Sequence, residues 1–184
     1  MKSYNVILED VLENGVRTDD RTGVGTISKF GSMFEFDMST GHFPAVTSKK
    51  LAWKAVVSEL IWFIRGSTNV DELRQILHGP NSDKTTIWDA NYLDVNSKYP
   101  DKFKDGDLGP IYGNQWRNWT TDNKTFIDQL YNVINAILVD PNSRRLIVNS
   151  WAVHDINDMG LPPCHYTYQF SVKDGELSLA WNQR

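Results

Sequence analysis

Between Leu161 and Arg184 the chain carries a pattern that few folds can accept. Pro162 and Pro163 each lock φ and offer no N–H, so the chain must arrive at Cys164 extended. Alternation begins at once. Tyr166, Tyr168, Phe170 and Val172 fall on one side, and His165, Thr167, Gln169 and Ser171 on the other, which is the period of a strand. Asp174-Gly175, inside Lys173–Glu176, is the pair expected at a tight connection. Leu177, Leu179 and Trp181 then alternate on the way back. The stretch predicts an antiparallel hairpin whose first strand opens on a thiol, directly after a rigid loop. Asn182-Gln183-Arg184 ends it with no turn residue and no polar tail, so the chain reads as cut in mid-strand.

Cys164 is the only cysteine, which leaves no internal disulfide and no cysteine-based zinc site. A lone cysteine is commonly a small buried hydrophobe without chemistry. At the mouth of a strand it can instead present a nucleophile to a cleft. His165 is adjacent, and neighbouring strand side chains point to opposite faces, so a direct thiolate–imidazole pair is not expected. A reactive Cys164 would need other positive charge, such as arginines, to favour its anion.

The 184 residues are read as one domain over 1–184, able to bury roughly 70% of the surface its unfolded form exposes. No apolar run approaches the ~20 residues of a membrane span. Met1-Lys2-Ser3-Tyr4-Asn5 lacks an apolar signal core, and a cytoplasmic protein is expected. The net charge of −4 gives no general support for nucleic-acid binding, so any anion site must be local.

Residues 3 to 14 predict an amphipathic helix with Tyr4, Ile7, Leu8, Val11 and Leu12 on one face and Asn14-Gly15 as its cap. Asp19 to Thr26 holds two glycines, but it is not a complete phosphate-binding motif and reads as a tight turn. Ile27, Phe30, Phe34, Phe36 and Met38 mark strand-like segments. A helix is predicted from about 51 to 65, apolar nearly all round and therefore buried. Glu59 sits in that company, where a carboxylate is costly unless paired or hydrogen-bonded. Both an ion pair and a proton-handling carboxylate with a raised pKa are open readings. Asn69 to Glu72 suits a capping box. Residues 78 to 110 read as a long polar loop interrupted by Thr86-Ile87-Trp88-Asp89. Tyr112 lies between glycines, as an aromatic packed at a turn does. Ile127 to Leu138 predicts another helix, and Leu146-Ile147-Val148 a buried strand after Arg144 and Arg145. Helices and aromatic-rich strands together give an α+β class.

The ordered set of motifs resembles thymidylate synthase, most closely the phage enzymes. It includes Asp20-Arg21-Thr22-Gly23, Phe43-Pro44-Ala45-Val46-Thr47, Glu59-Leu60-Ile61-Trp62-Phe63, Thr86-Ile87-Trp88-Asp89 and Leu108-Gly109-Pro110-Ile111-Tyr112-Gly113. Asp140 to Arg145, Pro163-Cys164-His165 and Gln183-Arg184 complete it. The resemblance implies a mixed β-sheet flanked by helices, incomplete at the C-terminus, and a homodimer packed sheet to sheet. It implies conversion of dUMP to dTMP, with 5,10-methylenetetrahydrofolate as donor of the one-carbon unit and the hydride, and no metal. Cys164 matches the nucleophile, Glu59 the proton-handling carboxylate and Tyr112 a phenol in the proton-removing network. Arg21 and Arg184 match phosphate ligands within one subunit, and Arg144 and Arg145 a pair donated across the dimer interface. Gln183 falls in the substrate-binding Gln-Arg motif, and Lys49 and Trp88 lie along the folate side.

Ala52, Asn91 and Asn114 depart from residues common in that family. The family continues beyond Gln183-Arg184 with residues that read uracil and ribose, so this chain alone is expected to be inactive. A nucleotide hydroxymethylase and a noncatalytic binding fragment are the alternatives.

Overall fold

The computed structural model describes residues 4–20, 23–121 and 125–184, and the chain divides into two compact units, Met1–Leu51 and Ala52–Arg184. In the N-terminal unit, helix α1 (Tyr4–Asn14) precedes a small antiparallel pair, β1 (Val16–Thr18) and β2 (Thr26–Ser28). Gly15 follows α1 because a side chain there would meet the Val11 carbonyl oxygen at 2.4 Å. The strand-like pattern expected beyond Ser28 forms no strand as far as Leu51. Apolar residues there have the composition of a strand but no pairing partner in this unit.

The C-terminal unit holds α2 (Trp53–Ile64), α3 (Val70–His78), α4 (Ile87–Lys98), α5 (Tyr112–Arg117) and α6 (Gln129–Val139). Strands β3 (Trp119–Thr120) and β4 (Phe126–Ile127) pair with each other, and β5 (Ile147–Asn149), β6 (His165–Lys173) and β7 (Glu176–Gln183) form a three-stranded antiparallel sheet in the order β5-β6-β7. The core joins Trp62 and Phe63 of α2, Leu73 of α3, Trp88 of α4, Tyr112 and Trp116 of α5 and Val148 of β5. No helix among the described residues is long and apolar enough to cross a membrane.

Three expectations change. Helix α2 is not buried all round: Trp53, Val56, Leu60, Ile61 and Ile64 are 38% to 49% exposed, while Trp62 and Phe63 are buried. Its chief neighbours are α3 and α5. The long loop expected from 78 to 110 contains the twelve-residue helix α4. Trp88, Tyr92 and Val95 recur at helical spacing and pack on the core, while Ile87 and Leu93 are exposed; its start is set by a capping box between Thr86 and Asp89. Lastly, β6 does not alternate from its first residue. A bulge lies between His165 and Thr167. It turns His165 to the side of Tyr168, and regular alternation holds only from Tyr168 onward. The hairpin turn is as expected, with Asp174 and Gly175 both at positive φ (52° and 82°).

Helix α5 packs so closely on the turn after α2 that a side chain at Gly113 would lie 2.2 Å from the Ser67 carbonyl oxygen. Gly113→Ala gains up to about 1 kcal/mol in helix propensity. The backbone clash outweighs it, and a net destabilisation of about 1–3 kcal/mol is expected. A fall in the urea unfolding midpoint checks this.

Candidate functional site

Cys164 sits where the rigid loop meets β6, half-buried. Its amide donates to the phenolic oxygen of Tyr112 at 2.7 Å. The first residue of α5 thus reaches 52 positions along the chain to hold the thiol's backbone. Burial pushes the Tyr112 phenol up to about 12, so it stays protonated near neutral pH. A protonated phenol that accepts from an amide still has its own O–H to donate. Tyr112 can therefore pass hydrogen bonds on, but it is no strong base.

His165 makes no pair with the thiol. Its ring stacks on Tyr112 at 4.2 Å, and Nδ1 shares a short hydrogen bond with the Tyr168 hydroxyl. Burial lowers its pKa, which favours the neutral ring. Simple alternation puts His165 on the other face, with no role at the site. Only the bulge brings it inward.

Trp88 continues the cluster. Its ring meets Tyr112 edge-on at 6.2 Å and Trp62 at 5.5 Å. Its Nε1–H donates to Glu59 Oε1 at 2.5 Å. Of the two readings open for Glu59, an ion pair is not formed among the described residues. Instead, burial raises its pKa, and the indole bond offsets part of that rise. Cys164, Tyr112, Trp88 and Glu59 are thereby joined through contacts from β6, α5, α4 and α2.

The arginines divide. Arg184 donates from Nε to the Pro163 carbonyl at 3.0 Å and from Nη2 to the Pro162 carbonyl at 2.9 Å. Its own amide donates to the Cys164 carbonyl at 2.9 Å, and its guanidinium lies 5.9 Å from the Trp151 ring centroid. It therefore braces the loop that delivers the thiol. Gln183, beside it on β7, pairs in register with His165. Arg144 and Arg145 are both exposed before β5, and neither guanidinium has a carboxylate partner among the described residues. Lys49 is exposed near the end of the N-terminal unit. Arg21 lies outside the described residues.

Two variants probe this geometry. Tyr112→Phe deprives the Cys164 amide of its acceptor, with an expected cost of about 1 kcal/mol and faster hydrogen exchange at that amide, read by denaturant titration and exchange NMR. Glu59 has a folded-state pKa above its unfolded one. Its contribution to stability is present below the ordinary glutamate pKa and is lost as pH rises through the raised value. Glu59→Gln is therefore expected to gain on the parent as pH rises from about 4 to about 8, a window around and above the ordinary glutamate pKa. The difference in unfolding midpoint across that range checks the sign.

The thymidylate synthase family profile matches residues 2–184. The thymidylate synthase of Enterobacteria phage T4 is 50% identical over 184 residues, which is all of this chain and 62% of that protein. The crystal structure of thymidylate synthase from T4 phage superposes with a TM-score of 0.88 at 49% identity, again over all of this chain and 62% of that one. This chain spans less than two thirds of the relative it matches. The order of its motifs, its fold and the full-length profile match agree, and the chain belongs to the thymidylate synthase family.

Proposed function

We propose that this chain supplies the nucleophile-bearing part of an enzyme that methylates dUMP to dTMP. The observation that carries the reading is the linked set Cys164–Tyr112–Trp88–Glu59, set on one aromatic core in a chain of this family. The folate co-substrate supplies the one-carbon unit and the hydride. The chain's own residues do the rest.

The Cys164 sulfur adds to carbon six of uracil, which makes carbon five nucleophilic. Arg184 holds the Pro162-Pro163 loop, and so the sulfur's approach, while placing positive charge nearby. Its remaining donors and Gln183 face the nucleotide. Tyr112 stays a neutral phenol and hydrogen-bonds the ordered water that takes the proton of carbon five. Glu59, with its raised pKa, is suited to take up and return protons through that water.

The phosphate is gripped by Arg21 and Arg184 of one subunit and by Arg144 and Arg145 of the other, as charge-assisted forks. The exposed and unpaired state of Arg144 and Arg145 supports their donation to a second copy. Trp88 and Lys49 take the folate side. Residues 1–184 are read as one domain of a homodimer in the host cytoplasm.

The chain is joined to the portion of the T4 protein that its match does not cover. Treated with 5-fluoro-dUMP and the folate, it is expected to gain a covalent adduct on Cys164, seen by intact mass and peptide mapping. Cys164→Ser abolishes it. An adduct absent from the parent, or unaffected by Cys164→Ser, rejects the assignment. The 184-residue chain alone is expected to form no dihydrofolate.

A further inference from the structure

A line of hydrogen bonds, carried through the Trp88 side chain, runs from the surface of α3 to the Glu59 carboxylate, and the chemistry above uses only Trp88 and Glu59 of it. Arg74 lies on α3, its side chain 30% exposed. Its Nε donates to Asp89 Oδ1 at 2.7 Å, and Nη2 bonds the same oxygen. A second arm, Nη1, reaches Asp71. Asp89 is buried, at 3% exposure. Its other oxygen accepts from the Thr86 hydroxyl at 2.8 Å and from the Thr86 amide. The Thr86 hydroxyl accepts in turn from the Trp88 amide at 3.2 Å. Trp88 then donates its indole N–H to Glu59.

A helix cap does not need this much. Thr86 and Asp89 would close a capping box with the acid in solvent, as caps commonly do. Burying the acid instead demands a partner, and Arg74 supplies it. A buried pair of this kind adds little net stability over apolar packing, while removing one partner is costly. What the pair does fix is where the first turn of α4 sits against α3. Residue 88 is in that turn. Ring packing against Trp62, Phe63 and Tyr112 holds the plane of the indole. The aim of its N–H depends on how the helix start is rotated, and hydrogen bonds weaken steeply with misalignment.

We propose that Arg74 and Asp89 are positioning residues for Glu59: they clamp the start of α4 so that the Trp88 indole points at the carboxylate. The importance of the clamp rests on the proposed role of Glu59 in dTMP formation, but its existence does not.

The test needs neither nucleotide nor folate, so its outcome and that of the adduct experiment are independent. The chain is labelled with ¹⁵N-indole tryptophan, and the Trp88 resonance is assigned by its loss in Trp88→Phe. In the parent that resonance is expected to titrate with Glu59, and Glu59→Gln to abolish the titration. The Glu59→Gln control also excludes Tyr112, His165 and Tyr168 as the source. In Asp89→Asn and Arg74→Gln the titration amplitude is expected to fall to about half or less, and the Glu59 carboxyl midpoint, read by ¹³C NMR, to rise. Arg74→Lys restores part of both. Arg74→Gln alters a side chain with one exposed edge and carries the test if Asp89→Asn does not fold. A Trp88 titration and Glu59 midpoint unchanged in Arg74→Gln overturn the proposal, whatever the melting temperature does. A shift shared equally by all the indoles, rather than one centred on Trp88, overturns it too.

Discussion

The bond from the Cys164 amide to the Tyr112 phenol is the tie on which the site depends. A thiol on a loop is free to wander. This one is held on its amide side by a ring wedged among Phe63, Trp88, Trp116 and His165. On its carbonyl side it is held by the Arg184 amide, and the two prolines before it are braced by the Arg184 guanidinium. Movement of α5 would therefore move the sulfur's backbone, and the packing of Gly113 on Ser67 leaves α5 little room to move.

The same core sets two opposed electrostatic conditions. Asp89 is buried but surrounded by donors, which hold its carboxyl below the usual carboxylate range despite burial. Glu59 has a single indole donor, and burial wins there. Two acids some thirty positions apart, both touching the start of α4, are thus sorted by their donors into one held below the usual carboxylate range and one raised above it. The cost of the second is borne as stability at neutral pH, a common arrangement where function needs a poorly solvated acid.

Much of this was legible in the sequence. The hairpin around Asp174-Gly175 could be read because turn chemistry and alternation are local. Helices α1, α2 and α6 could be read because their apolar residues recur at helical spacing. Cys164, Glu59, Tyr112 and Trp88 could be named from motifs in a fixed order. Helix α4 was hidden in a polar stretch: Trp88, Tyr92 and Val95 recur at helical spacing, but they are its only core-facing apolar residues, and Ile87 and Leu93 lie off the stripe, exposed. Thr86 with Asp89 three residues on was the available signal. The inward turn of His165 had no local signal, because a bulge is a property of two paired strands. Nor could α2's bare flank be foreseen: spacing shows that a face is apolar, not what covers it.

Strand β7 lies at the edge of its sheet among the described residues, and all eight of its residues are exposed. Leu177, Leu179 and Trp181 stand out from it at 49% to 60% exposure. An open row of backbone donors and acceptors beside bare leucines and an indole is a template for adding another strand. Only Glu176 and Arg184, at its two ends, carry charge to discourage the wrong one. Left uncovered, this border would make the chain adhesive along one line.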